Sequence, residues 1–128
     1  ELKEKKDRIE DAIYATKAAL KEGIVPGGGV ALLNASQKIP AKAVGEKILL
    51  KALQAPFYTI LDNAGITLMD GTEDHEGYGI DVVTGERATM VPAGIIDPVL
   101  VTKSALKNAV SVVLTIISAD CVISNMRG

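Results

Sequence analysis

Three consecutive glycines, Gly27, Gly28 and Gly29, stand directly before an apolar segment, 30–35, that is compatible with a helix. Glycines at a helix entry let the backbone approach a ligand closely and leave N–H groups that bind an anion such as phosphate. The loop lacks the Lys and Ser/Thr of a P-loop and the spacing of a GxGxxG fingerprint, and no preceding strand is evident. A tight turn between two packed helices explains these residues at least as well.

A second candidate for chemistry is Asp11, on a segment whose apolar residues recur with helical spacing at Ile9, Ile13 and Leu20. At about 100° per residue, this stripe is predicted to face a core, and Asp11 lies near the middle of the opposite, polar face. The spacing alone favours a solvated carboxylate, assisted by Arg8 one turn earlier.

Composition limits the classes of protein to which this chain belongs. It has 128 residues, enough for one domain, and a content of 48% hydrophobic but only 3% aromatic residues predicts a core of Ala, Val, Ile and Leu, as in packed helices. With 14 basic against 16 acidic side chains and no basic block, nucleic-acid binding is not indicated. Cys121 is the only cysteine, which excludes an internal disulfide, and His75 has no partner at metal-ligand spacing.

Hydropathy and the amino terminus give two further expectations. No apolar run approaches the roughly 20 residues needed to cross a bilayer, so no membrane partner is expected. The amino terminus is charged, lacks an initiator Met and enters a helix at once, which is typical of a cut inside a longer protein.

Turn residues predict where the middle elements begin and end. Gly23 is predicted to end the first helix with a left-handed cap. Apolar residues recur with helical spacing over residues 43–64, which predicts helix there. Pro56 either kinks one helix or lies in the first turn of a second one. A short hairpin is predicted with strands 80–83 and 87–91.

The last helix has a strong local start signal. Asp97 is predicted as its N-cap and Pro98 as its first helical residue. The segment 99–117 is apolar on most of its circumference, which is typical of a helix buried in a core or an interface. Cys121–Ser124 is predicted as a short strand that another chain is able to pair with.

Three segments, 10–33, 77–86 and 94–112, read EDAIYATKAALKEGIVPGGGVALL, GYGIDVVTGE and GIIDPVLVTKSALKNAVSV. Their order and intervals closely resemble the carboxy-terminal part of the group I chaperonins, the GroEL family, over most of the chain. The resemblance implies a mainly α, multihelical fold like the chaperonin equatorial domain, with a small β-hairpin and a C-terminal strand. Residues 1–22 would be the helix that links the intermediate and equatorial domains, and residues 23–128 the carboxy-terminal half of the equatorial domain, which binds ATP and forms the ring.

The same resemblance implies part of an ATP site. Asp11, in the pattern ED-A-x-x-A-T, matches the aspartate that swings over bound ATP and supports attack of water on the γ-phosphate. Gly28 matches the residue whose backbone lies against the nucleotide, and Asp97 matches the carboxylate that takes the ribose hydroxyls. A carboxylate has two oxygens and can serve both the ribose and a helix N-cap. The residues implied to lie around the adenine base are Ile60, Asp81, Val82 and Ile95.

The sequence departs from the family's pattern in informative places. Asp81 stands where the family usually has Asn, and Ile80 where Tyr is common, which affects base contacts more than phosphate contacts. Nothing resembles the GDGTTT loop, whose aspartate holds Mg²⁺ in that family, so the metal ligands are expected from outside this chain and none is assigned within it. The chain is therefore expected to carry at most half of a site for ATP and Mg²⁺.

The implied function is that of a fragment of an ATP-dependent chaperone that assists protein folding. Its partners would be further copies in heptameric, stacked rings, a co-chaperonin lid and unfolded client proteins, in the bacterial cytoplasm or an organelle interior such as the mitochondrial matrix. The isolated chain is expected to be inactive, with partly uncovered helices at Val30 and Val99 that promote self-association. The alternative is a non-catalytic helical interaction module. A phosphate-binding metabolic enzyme ranks below both, because strand–helix alternation is missing.

Overall fold

The computed structural model describes residues 1–68 and 75–119. Within them, five helices and four short strands confirm the mainly α fold. The helices are α1 (Leu2–Glu22), α2 (Val30–Lys38), α3 (Val44–Ala52), α4 (Ala55–Asn63) and α5 (Val99–Ile117). The strands are β1 (Ile24–Pro26), β2 (Tyr78–Asp81), β3 (Glu86–Thr89) and β4 (Ile96–Pro98). The predicted strand at Cys121–Ser124 lies outside the described residues.

The strands form two separate two-stranded sheets, β1 with β4 and β2 with β3. The chain divides into two compact units. Unit 1 comprises residues 1–23 and the chain from Pro98 onward, and so contains α1 and α5. Unit 2 comprises residues 24–97 and contains the other helices, the glycine loop and the hairpin.

Unit 1 is a pair of packed helices, α1 and α5. The main-chain N–H of Val99 donates to the carbonyl oxygen of Gly23 over 3.1 Å, and Lys103 forms an ion pair of 2.7 Å with Glu22. Gly23 ends α1 as predicted, with a φ of 86°. Its ψ of −167° is extended, however, so the predicted left-handed cap is wrong in detail.

The predicted core-facing stripe of α1 is wrong. Ile13 and Leu20 are exposed, and the buried side of the helix is lined by alanines instead, Ala15, Ala18 and Ala19. Alanine side chains let two helices approach closely, so the small residues of α1 form its packed face. The larger apolar residues remain on its surface.

α5 is exposed over most of its length, and none of its residues is buried. The expected uncovered face of the helix at Val99 is therefore confirmed. Among the described residues, α5 is also long and apolar enough to cross a membrane by length and composition, so the expectation that no segment reaches that length is wrong. A helix that packs against protein passes the same test, and α5 carries two cations, Lys103 and Lys107.

Unit 2 has a core of its own, in which α2, α4 and the hairpin meet. Its members are Val30, Leu33, Phe57, Leu61, Ile80 and Met90. The largest fully buried side chains include an aromatic ring and a thioether, so the core is not built from Ala, Val, Ile and Leu alone. Because the apolar side of α2 is buried here, the expectation that this helix is uncovered is wrong.

Local signals set the remaining elements of unit 2. α3 ends at Ala52 and Pro56 lies in the first turn of α4, so the second of the two interpretations of Pro56 is confirmed. α3 begins where the Glu46 carboxylate accepts the N–H groups of Ala43 (3.0 Å) and Lys42 (2.7 Å). These two hydrogen bonds lower the pKa of Glu46, since they favour the charged carboxylate.

The hairpin is confirmed, although its strands end earlier than predicted. β2 and β3 are antiparallel, with Ile80 opposite Arg87 and Asp81 opposite Glu86. The turn occupies residues 82–85 and ends at Gly85. Because Gly85 has a φ of 76°, the residue type suits this position of the turn.

Candidate functional site

The glycine loop connects β1 to α2 in a compressed turn. A strand of three residues precedes it, so the interpretation that no strand is present is wrong. Gly28 and Gly29 have φ values of 65° and 78°, a region that favours glycine. A Cβ atom on Gly29 would lie 2.6 Å from the backbone nitrogen of Phe57, so the loop rests directly on the start of α4. Side chains at this position are excluded by backbone atoms that cannot move aside.

The loop presents several main-chain donors at the amino end of α2. The N–H of Gly27 is used, because it donates to the carbonyl oxygen of Ile95 over 2.9 Å. Within the described residues, the N–H groups of Gly28 and Gly29 have no acceptor, and no side chain caps α2. Unpaired N–H groups at the positive end of a helix dipole suit a phosphate oxygen. Unpaired N–H groups are thus present at Gly28 and Gly29, but not at Gly27, and anion binding by the loop stays a prediction.

Asp97 lies on β4, beside the strand that leads into the glycine loop. Its carboxylate is half-buried and has no hydrogen bond or ion pair within the described residues. Burial raises the pKa of Asp97 above its usual value. Both oxygens are free to accept hydrogen bonds, as a pair of neighbouring hydroxyl groups would require.

The predicted N-cap role of Asp97 is wrong. Pro98 has an extended backbone, with a ψ of 131°, and α5 begins one residue later, at Val99. The N–H of Val99 donates to the carbonyl oxygen of Gly23, so that first donor of the helix has a main-chain acceptor. No side-chain cap is present at this end of α5, which removes the competition for the carboxylate.

The structure brings the loop and the Asp97 strand together. The hydrogen bond from Gly27 to Ile95 joins them, and a Cβ atom on Gly27 would lie 3.0 Å from the nitrogen of Ile96. Gly28 and Asp97 lie about 70 residues apart in the sequence. Each directly follows a residue of this contact, Gly27 or Ile96, so the structure brings their two segments together.

The residues implied to surround a base lie on three elements of unit 2. Ile95 packs against the buried core, Val82 is exposed on the hairpin turn, and Ile60 is exposed on α4. Asp81 is half-buried and uses one carboxylate oxygen to accept the N–H of Val83 over 2.9 Å, an Asx turn that shapes the hairpin loop. A shared pocket for these four residues stays a prediction.

Asp11 belongs to unit 1, whereas every other predicted site residue belongs to unit 2. Its carboxylate is exposed and has no hydrogen bond or ion pair within the described residues. Arg8 does not assist it, because that guanidinium pairs with Glu4 at 2.7 Å. Asp11 lies four residues before Ala15 and seven before Ala18, so it continues the alanine face of the helix. The prediction that Asp11 lies opposite the packed side is therefore wrong.

Sequence reasoning missed Asn34, which fastens α2 to the hairpin. Its side-chain Oδ1 accepts the N–H of Gly77 over 2.8 Å, and the residue is buried. A polar residue one turn after Val30 and directly after Leu33, on the apolar side of a helix, was the available signal. Met90 was also missed, and nothing in its sequence context distinguishes it from an ordinary strand residue.

Among the described residues, no group of three or more His, Cys, Asp or Glu side chains is placed to hold a metal ion.

Comparison with known proteins identifies the family. Residues 1–127 match the TCP-1/cpn60 chaperonin family. The fold is also similar to the crystal structure of a group III chaperonin in the open state, with a TM-score of 0.68 and 28% sequence identity over 83% of this chain. The match covers 25% of that relative, so the chain spans about a quarter of its length. This chain belongs to the TCP-1/cpn60 chaperonin family.

Proposed function

We propose that this chain is part of an ATP-dependent chaperonin of the group I, GroEL-like type, to which it contributes ring contacts and part of the ATP site. The observation that carries the proposal is the junction of the glycine loop with the Asp97 strand. It combines unpaired N–H groups, which suit phosphate, with an unpartnered carboxylate, which suits hydroxyl groups. Membership of the chaperonin family supports the assignment of these partners to one nucleotide.

Each residue has a separate part in this proposal. The N–H of Gly28 and the amino end of α2 bind phosphate oxygens, and Asp97 accepts the ribose hydroxyls. Asp11 orients the attacking water and accepts its proton, a role that needs an exposed carboxylate without a competing partner. Mg²⁺ neutralises phosphate charge when it is bound, with ligands from outside the described residues.

The exposed apolar surface of α5 supports an assembled protein. Exposed apolar helices of this kind require cover, and protein supplies it in a chaperonin. The proposed parent is a homo-oligomer of heptameric, stacked rings with a co-chaperonin lid. It would act on unfolded client proteins in the bacterial cytoplasm or an organelle interior such as the mitochondrial matrix.

The test of the proposal is Asp11→Ala in the full-length, assembled protein. ATP binding should remain, and turnover should fall by about 10²–10⁴-fold, the usual contribution of a positioned general base. Steady-state phosphate release and nucleotide titration measure the two quantities. Glu10→Ala is the matched control, because it removes an exposed carboxylate from the next position of α1. Turnover equal to that of the control would remove Asp11 from the mechanism.

The alternative, a helical interaction module without ATPase activity, predicts a different result. In that case the assembled wild-type protein would not hydrolyse ATP. A calorimetric titration of Mg-ATP into the 128-residue chain adds the second measurement. No binding by the chain together with binding by the full-length protein would indicate a divided site. Saturable binding by the chain that is abolished in Asp97→Asn would mean that this segment holds a complete site.

A further inference from the structure

Met90 connects three parts of unit 2 through its main chain. Its N–H donates to the carbonyl oxygen of Gly77 over 2.9 Å, and its own carbonyl oxygen accepts the N–H of Ile95 over 2.9 Å. The carbonyl oxygen of Ile95 in turn accepts the N–H of Gly27 over 2.9 Å. An unbroken series of hydrogen bonds therefore runs from the start of the hairpin to the glycine loop.

The Met90 side chain fills the space beside two glycines on different segments. A Cβ atom on Gly28 would lie 2.9 Å from Met90 Cε, and a Cβ atom on Gly79 would lie 2.9 Å from Met90 Sδ. Apart from the neighbours of Gly28 in the chain, Met90 Cε is the only heavy atom of the described residues within 4 Å of that first position. Met90 is also 1% exposed, so its side chain has little room to move away.

We propose that Met90 is a positioning residue of the nucleotide site, which holds the Gly28 backbone in register with the hairpin and with the strand that carries Asp97. This inference rests on the proposed function, because it assumes that Gly28 and Asp97 bind one ligand. Methionine suits the role, since its unbranched side chain is long enough to reach both glycines. Leucine has a similar volume but ends one atom short of the methionine Cε.

The test compares Met90→Ala and Met90→Leu with Leu61→Ala. Leu61 is 3% exposed in the same core, and the structure places it more than 4 Å from a Cβ atom on Gly28. In the full-length protein, kcat/KM for ATP should fall by about 10²-fold in Met90→Ala, since a displacement near 1 Å has an effect of that order. The kcat/KM of Met90→Leu should lie between that of Met90→Ala and that of the wild type. Leu61→Ala should keep a kcat/KM near that of the wild type, although it should lose as much thermal stability as Met90→Ala or more.

Amide hydrogen exchange of the 128-residue chain gives the structural readout. Met90→Ala should speed exchange at Gly27 and Ile95 more than at Leu33, whereas a general loss of stability would speed all three. If Met90→Ala fails to fold, Met90→Leu decides the question, because it conserves volume. If Met90→Ala and Leu61→Ala have equal kcat/KM values and the wild type binds ATP, the inference about Met90 is overturned and the proposed function is not. A wild type that binds no ATP would overturn the inference and the proposed function together.

Discussion

The two units of this chain bury their apolar residues very differently. In unit 2, six apolar side chains from α2, α4, the hairpin and the residue directly after it form a cluster, and Leu33 is 1% exposed. In unit 1, α5 has no buried residue, and Leu114 is 58% exposed. Unit 2 therefore has a core of its own, whereas the described residues of unit 1 leave large apolar side chains of α5 exposed.

The comparison explains where the candidate chemistry lies. The glycine loop and Asp97 belong to the unit with the rigid core, where backbone positions are fixed by close contacts. Asp11 belongs to the unit in which alanines, one main-chain hydrogen bond and one exposed ion pair join the two helices, as far as residues 1–23 and 98–119 show. Under the proposed function, nucleotide-binding residues would benefit from the close packing of unit 2, and Asp11 would benefit from a helix with fewer attachments.

The largest expected effect comes from truncating one leucine in each unit. Leu33→Ala should lower the free energy of unfolding of unit 2 by about 2–5 kcal/mol, the usual cost of a cavity in a packed core. Leu114→Ala should change the stability of unit 1 by no more than about 0.5 kcal/mol, because the side chain is already exposed. Urea denaturation of the 128-residue chain, followed by residue-resolved hydrogen exchange, separates the two units. A cost for Leu114→Ala as large as that for Leu33→Ala would show that α5 is covered in solution.

A smaller expected effect tests whether the glycine loop lies directly against the start of α4. Gly29 and Gly94 share a φ of 78°, but a Cβ atom on Gly29 would meet Phe57 backbone atoms, whereas nothing lies within 4 Å of one on Gly94. Gly94→Ala should therefore cost only the left-handed strain, about 1–2 kcal/mol. Gly29→Ala should cost a further 1–3 kcal/mol or so, as overpacking usually does. Equal costs in thermal denaturation would mean that the loop does not rest on α4.

The sequence was a good guide where one residue decides the backbone. Pro56 in the first turn of α4 and Gly85 at the end of the hairpin turn act locally, since each restricts or permits particular φ values. The same is true of Gly23, whose positive φ ends α1 although its ψ differs from the expected cap. Such elements follow from the residue types alone.

The failures share a different cause, because each depends on a partner distant in the sequence. Asp97 is of a residue type that commonly caps helices, but the carbonyl oxygen of Gly23 accepts the hydrogen bond from the first N–H of α5. The larger apolar side chains of α1 suggested a core face, yet the helix pairing uses alanines. The site was predictable to the extent that a family resemblance supplied its residues, and the contacts that Met90 makes with Gly28 and Gly79 carry no sequence signal.

The smallest expected effect concerns the charge of Asp97. Because burial raises its pKa in the folded state, the folded protein binds a proton more tightly than the unfolded chain. Its stabilising contribution is thus present at low pH and is lost as the pH rises from the ordinary value of 3.8 through the raised pKa. Asp97→Asn should therefore stabilise unit 2 more at pH 7 than at pH 3, by less than about 1 kcal/mol, since water still reaches this carboxyl.

Asp62→Asn is the matched control for this substitution, because it removes an exposed carboxyl from α4 in the same unit and corrects for the lost charge. Urea denaturation at the two pH values measures the difference. A gain in stability together with weaker nucleotide binding in Asp97→Asn would identify a residue whose charge opposes folding and serves the ligand. An equal change in stability at both pH values would contradict the conclusion that burial raises the pKa of Asp97.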